Sequence, residues 1–309
     1  MENFRLALIS TMYFEQGISQ QEIASKLNLS KMTVSRMLQK AKEKGIVQIK
    51  VKFPFQIDGK LSKKVKDQYG IKKAIVIKRG ETKSEHIFEL IGQTWSTYLG
   101  LSLKNNYVIG LGLGNTIGHT VQCLIPMNTT NVHVVQLMGG LTNVHMKNPF
   151  TIVQEACRKL KAEGTYVTSS VIVDNREMRD SIMNETPMGM RVKEMWDKCD
   201  EALFGIGAIE TGTLLSPELV PPEDVIKIKN LGAVGDIMGH CYNARGDFLK
   251  THLDERLVNI PIDVFKRIPE RVGLAGGEYK VDAIKGALLS GIVTTLGTDD
   301  GTAKKLVTP

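Results

Sequence analysis

The chain has 309 residues, 42% of them hydrophobic and 24% charged, enough for one large and one small folded domain and too apolar for a disordered tail. No apolar run approaches the ~20 residues of a bilayer span, and Met1-Glu2-Asn3-Phe4-Arg5 lacks the basic-then-apolar order of an export signal, so a cytoplasmic, non-membrane protein is expected. The net charge of +7 is concentrated: residues 1–52 hold nine Lys/Arg against four Asp/Glu and the rest hold 31 against 29, as in a nucleic-acid-binding head on a neutral body.

In chain order, Phe4, Leu8, Met12 and Tyr13 are expected to form a supporting first helix. Ser19 and Glu22 then have the spacing of a capping box, so a second helix begins there, with Ile23 and Leu27 on one face and Ala24 small enough for a close crossing. Asn28-Leu29 breaks the pattern and Ser30 caps a third helix that ends at Gly45. Val34, Met37, Leu38 and Ala41 form its buried stripe, and polar and basic residues occupy the other faces. Helix, tight turn and second helix is the arrangement that places a recognition helix in the major groove of DNA. Thr33, Ser35, Arg36 and Gln39 are the candidates for base edges, Lys31, Lys40 and Lys42 for phosphates, with Ser19 and Gln20 joining the DNA-facing set. Residues 46–51 alternate as a strand and resemble the wing of a winged helix.

Pro54 and Gly59 interrupt the periodicity, which divides the chain into a helix-turn-helix domain at 1–52, a linker at 53–60 and an effector domain at 61–309. Strands are expected at 74–77, 107–111 and 132–137, alternating with helices over 84–103 and 116–125. Near the end, strands at 271–275 and 292–296 flank a helix over 278–289. This is an α/β domain with a mainly parallel sheet, whose ligands bind beyond the carboxyl ends of strands. One such junction is Gly110-Leu111-Gly112-Leu113-Gly114-Asn115-Thr116-Ile117-Gly118, where backbone amides, the Thr116 hydroxyl and a helix start favour an anion. Phosphate, dinucleotide and purely structural readings all remain open there. Against the dinucleotide stand the G-x-G-x-x-x-G spacing and a following strand that ends without an acid for a ribose.

Three further junctions carry polar chemistry. Gly139-Gly140 leads through Asn143 and Lys147 to a helix near Pro149; Asp236 follows the small-residue strand 232–235; Gly276-Gly277-Glu278-Tyr279-Lys280 puts a lysine in the first turn of a helix, an unfavourable place for a cation without an anionic partner. Each also has an ordinary structural reading as a turn, a cap or a surface residue; together they suit a phosphorylated sugar. Cys123, Cys157, Cys199 and Cys241 are too scattered for a metal or redox motif, so no metal and no cofactor is expected.

The helix-turn-helix, Gly112-Leu113-Gly114-Asn115-Thr116, Gly139-Gly140-Leu141, Gly205-Ile206-Gly207, Gly232-Ala233-Val234-Gly235-Asp236-Ile237 and Ala275-Gly276-Gly277-Glu278-Tyr279-Lys280, in that order, resemble the SorC family of bacterial sugar-responsive regulators. The resemblance implies an effector domain with the fold of sugar-phosphate isomerases such as glucosamine-phosphate deaminase. It also implies a homo-oligomer, often a tetramer, that binds double-stranded operator DNA, and a phosphorylated sugar or sugar alcohol as effector. It places the phosphate at Gly114, Asn115 and Thr116 and the sugar at Asp236 and Lys280; the loop junctions described above add Gly139, Gly140, Lys147 and Glu278 as effector-binding candidates. Many members have an aromatic residue and a second hydroxyl where this chain has Leu113 and Asn115. The function expected is a regulator, a repressor, of a carbohydrate-utilisation operon. The alternative is a sugar-phosphate isomerase or deaminase with an accessory DNA-binding head, for which the six scattered histidines offer no His/carboxylate relay.

Overall fold

Two units divide the chain, residues 1–54 and 55–309. The computed structural model describes residues 2–49, 55–141 and 148–308. The first unit consists of α1 (Glu2–Ser10), a π-helical turn over Thr11–Glu15, α2 (Gln20–Leu27) and α3 (Lys31–Glu43). The capping box at the start of α2 is complete: the Glu22 amide donates to Ser19 Oγ at 3.3 Å and the Ser19 amide donates to Glu22 Oε2 at 3.0 Å. Ser30 caps α3 by accepting from the Thr33 amide at 3.0 Å, and Gly45 follows the helix at φ +69°, a left-handed backbone that ends a helix without Cβ strain. The small core joins Ile9, Ile23, Ala24, Val34 and Leu38. The inward side of α1 differs from the expected one: Leu6 and Ile9 are buried while Phe4 and Leu8 are exposed. Residues 44–49 form no strand, and Lys50 and Val51 of the expected wing lie outside the described residues.

The second unit runs β1 (Gln56–Ile57), α4 (Gly59–Tyr69), β2 (Lys73–Lys78), α5 (Ile87–Ser102), β3 (Val108–Leu111), α6 (Asn115–Gln122), β4 (His133–Gln136), α7 (Pro149–Leu160), β5 (Glu163–Thr165), α8 (Arg176–Asn184) and α9 (Pro187–Asp197). It continues through β6 (Glu201–Gly205), β7 (Gly207–Ala208), α10 (Pro222–Asn230), β8 (Ala233–Ile237), β9 (His240–Asn243), α11 (Ile262–Arg267), β10 (Glu270–Leu274), α12 (Val281–Leu289), β11 (Thr295–Asp299) and α13 (Asp300–Leu306). The large sheet has the order β1-β2-β11-β10-β6-β3-β4-β5, parallel throughout except for β1. Its strands are short apolar runs because both faces are covered. In β2, Ala74 and Val76 enter one core with α4, α9 and α12, while Ile75 and Ile77 enter the other with α5, α6 and α7.

Three expectations shift. Residues 56–60 are not linker, since β1 pairs with β2 and Asp58 caps α4 through the Leu61 amide at 3.0 Å. The last strand lies three residues further on, at 295–299, because its end is the buried polar pair Thr298 and Asp299, which reads as loop in sequence. Asp236 does not end a parallel strand. It sits inside β8, in a separate antiparallel sheet of order β7-β8-β9, opposite Cys241 on one side and Gly207 on the other. No helix among the described residues is long and apolar enough to cross a membrane.

Candidate effector site and DNA-binding helix

Strand β6 returns to lie beside β3 after the chain has built β4 and β5 on its far side, so the order reverses between them. At this reversal, beyond the carboxyl ends of β3, β6 and β10, lies a cavity of about 340 Å³. Three helices begin on it. Gly114, Asn115 and Thr116 come from the start of α6, Ser84, Glu85 and Phe88 from the approach to α5, and Tyr279 and Lys280 from the approach to α12. The first amides of a helix have no intrahelical acceptor and carry its positive end, so three converging starts make an anion-attracting wall. Gly114 stands at φ +123°, which a side chain would strain, and it turns the chain from β3 into α6.

The opposite wall comes from the small sheet. Asp236 is buried and accepts from the Gly239 amide through Oδ2 at 3.0 Å. Burial pushes its carboxyl above the ordinary range, partly offset by the Gly239 amide and the nearby Lys280 ammonium. Gly207 and Gly212 give it room: a Cβ on Gly207 would stand 2.1 Å from Asp236 Oδ1. Lys280 donates from Nζ to the Ile206 carbonyl at 3.0 Å. Thr211 and Thr213 add hydroxyls, and Leu113, Leu214 and Met238 add apolar surface. Cation, buried acid, hydroxyls and a small apolar floor match a polar metabolite with an anionic end.

Gly114, Asn115, Thr116, Asp236 and Lys280 are therefore brought to one cavity, and Gly139, Gly140 and Glu278 are not. The Gly139 amide donates to Val258 and the Gly140 amide to Ser169, both at 2.7 Å, and a Cβ on Gly139 would meet the Ser170 carbonyl at 2.5 Å. Gly139 therefore serves a close backbone crossing, whereas a Cβ on Gly140 would meet nothing closer than Asn148 Oδ1 at 3.5 Å. Glu278 points to Arg79 at 2.9 Å and Lys305 at 2.7 Å, which hold its carboxyl below the usual range. Lys147 and Asn143 lie outside the described residues. The sequence reading missed Ser84, Glu85, Phe88, Thr211, Thr213 and Tyr279. Only Gly205-Ile206-Gly207 carried a local signal for that wall. His240 lies in β9, away from the cavity, with Nε2 at 2.9 Å from the Ile260 carbonyl.

In the first unit, Lys31, Ser35 and Arg36 are exposed on α3. Other candidates have local partners. Ser19 serves the capping box beside half-buried Gln20, the Thr33 hydroxyl lies 2.8 Å from Ser30 Oγ, and Gln39 donates to Glu43 at 3.0 Å. Lys40 and Lys44 pair with Glu2 and hold its carboxyl down at about 2. A groove lined by Phe4, Leu8, Thr33, Arg36, Met37 and Lys40 runs between α1 and α3.

Residues 54–308 match the Sugar-bind family of sugar-binding domains, and residues 1–48 match a winged helix-turn-helix DNA-binding family. The sorbitol operon regulator of Klebsiella pneumoniae is 27% identical over 97% of this chain and 96% of its own length. The crystal structure of that full-length regulator, SorC, superposes with a TM-score of 0.78 at 26% identity, covering 99% of both chains. This chain belongs to the SorC family. The deoxyribonucleoside regulator of Bacillus subtilis (strain 168) is 29% identical over 96% of this chain and 95% of its own. SorC-family membership makes the protein a sugar-responsive transcriptional regulator that joins a DNA-binding head to a sugar-binding body, and the relatives named here are regulators. Within the SorC frame, Leu113 and Asn115 stand on the cavity wall, so the first loop offers an apolar surface and an amide at those two places.

Proposed function

We propose that this regulator represses a carbohydrate-utilisation operon and releases double-stranded operator DNA when a phosphorylated sugar or sugar alcohol occupies the cavity between the two sheets. The observation that carries the proposal is the convergence of three helix starts and the Lys280 ammonium opposite buried Asp236. Phosphate fits the amides at Gly114, Asn115 and Thr116, and sugar hydroxyls fit Asp236 and the threonines. Lys31, Ser35 and Arg36 supply the operator contacts, with Thr33, Gln39 and Lys40 exchanging local partners for DNA. Two-fold related heads read two half-sites, and a tetramer of four chains doubles that pairing. Fluorescence anisotropy of an operator duplex, selected in vitro with the full chain and titrated with sugar phosphates, tests the reading. Weakened operator binding by a phosphorylated compound and none by its dephosphorylated form is expected; no effect of any sugar phosphate at millimolar concentration would defeat it.

The enzyme alternative draws on one feature, the Asp236 carboxyl, which burial shifts upward and which shares the cavity with Lys280. Isomerisation needs a base that moves a proton, and no histidine joins Asp236 among the described lining residues. Sustained turnover of pentose or hexose phosphates would favour it.

A further inference from the structure

The second unit is near neutral, but its charge is sorted along the chain. Residues 59–78 hold seven lysines against the single acid Asp67, while residues 79–309 hold 24 Lys/Arg against 27 Asp/Glu. Four of those lysines, Lys60, Lys63, Lys64 and Lys66, lie on α4, and all four are exposed. Helix α4 packs by Leu61, Val65 and Tyr69, so Lys60 and Lys63 stand on the opposite face with Asp67 between them, and Lys64 and Lys66 lie on its two flanks. Elsewhere in the unit cations are commonly paired, as Lys198 is with Glu194, Lys304 with Asp300 and Lys305 with Glu278. Among the described residues the four α4 lysines have no ion-pair partner. Lys60 and Lys64, four residues apart on a helix, repel each other, and the single acid Asp67, four residues after Lys63, offsets the excess positive charge of the helix only in part.

We propose that the lysine face of α4 is a second DNA-contacting surface, which binds backbone phosphates flanking the operator while the head reads its sequence. Charge complementarity is the first argument, since duplex DNA presents a phosphate about every 1.7 Å of helix axis and an unpaired lysine row suits it. Chain continuity is the second. Gly59, at the start of α4, follows Ile49, the last described residue of the head unit, by ten positions. Fully extended that stretch spans at most roughly 35 Å, about one turn of DNA, a reach that allows α4 to meet phosphates beside the site the head reads. The contact is sequence-independent, because phosphates carry no base identity. It rests on the operator-binding reading above and adds to it a role for the effector body.

The test compares the full-length wild type with K60Q/K63Q/K64Q/K66Q and with a control of equal charge change, K104Q/K161Q/K198Q/K285Q. Binding to the selected operator duplex and to a random duplex of equal length is measured across a salt series, with thermal unfolding as a check on folding. For the α4 variant, the slope of log affinity against log salt should fall by about 0.9 for each phosphate that is no longer neutralised, and binding to both duplexes should weaken by the same factor. The control should keep the wild-type slope. A wild-type slope in the α4 variant, or equal weakening in both variants, would overturn the inference while leaving the regulator reading intact. Absence of DNA binding by the wild type would remove both. Sedimentation with vesicles of equal phosphatidylserine and phosphatidylcholine separates the other polyanion: vesicle binding abolished in the α4 variant, with its DNA slope unchanged, would make the surface a membrane-binding one and overturn the proposal.

Discussion

Burial pushes the Asp236 carboxyl upward, and that direction fixes the sign of a stability effect. The folded state holds the Asp236 proton more tightly than the unfolded chain does. Native stability from this group is therefore greatest below the ordinary carboxylate range and is lost as pH rises through the folded value. Asp236→Asn removes the titration, so the wild type's stability relative to the variant should decline as pH rises above the ordinary carboxylate range in urea unfolding. A difference that stays flat would mean that Asp236 titrates normally. On the head, Arg36 stands exposed on α3, and Arg36→Ala should weaken operator binding by about 1–3 kcal/mol if it pairs bidentately with a base. Equal loss on random duplex in the same anisotropy assay would reassign it to a phosphate.

At the level of elements, the loop that presents Lys280 is fastened from behind. Asp299, fully buried at the end of β11, accepts from the Gly277 amide at 2.9 Å and from the Gly301 and Thr302 amides at 3.0 and 3.1 Å. It caps α13 and pins the 276–280 turn with one carboxylate. Asp299→Ala should cost about 1.5–3 kcal/mol, the usual worth of hydrogen bonds to a charged group. It should also raise the sugar-phosphate concentration needed for half-release of operator; a destabilised variant with an unchanged midpoint would separate the pin from the site. Elements with strong local signals were legible in sequence: the Ser19/Glu22 box, Ser30, and the run 74–77 all have local causes. The small sheet was not legible, because β7 is two residues long and β8 is read as a run of small residues before a loop. What makes β7 a strand is pairing with a residue far away in sequence, Gly207 with Asp236, while β8 turns back on β9 in a tight hairpin that pairs Asp236 with Cys241. The same cause hid the lining threonines and placed Gly139 at the cavity, since a glycine pair looks alike whether it admits a ligand or a neighbouring backbone.

For the whole molecule, two units with separate cores imply two separable responses. Calorimetry of the full chain should show operator DNA raising the transition of the head and sugar phosphate raising that of the body. A ligand at 100 times its dissociation constant adds about 2.7 kcal/mol to the unit that binds it. Linkage requires that operator weaken the effector by the factor with which the effector weakens operator. Equal effector affinity with and without operator, measured by titration calorimetry, would remove the coupling.

Between β6 and β7 the chain passes from the large sheet to the small one through a single residue, Ile206, whose carbonyl receives the Lys280 ammonium. That bond fastens the crossing point between the two sheets to the approach to α12. An anion bound at Lys280 would compete with the Ile206 carbonyl for the same ammonium, so effector occupancy is expected to loosen the turn between the two sheets. Lys280→Met keeps an unbranched apolar stem and removes the ammonium that holds the Ile206 carbonyl. It should speed hydrogen exchange at the ladder amides from Asp236 to Cys241 while leaving those of β3 and β4 unchanged. The small sheet packs on α12, where the Tyr242 hydroxyl donates to the Ala283 carbonyl at 3.0 Å, so any such loosening is expected to be felt at that helix first.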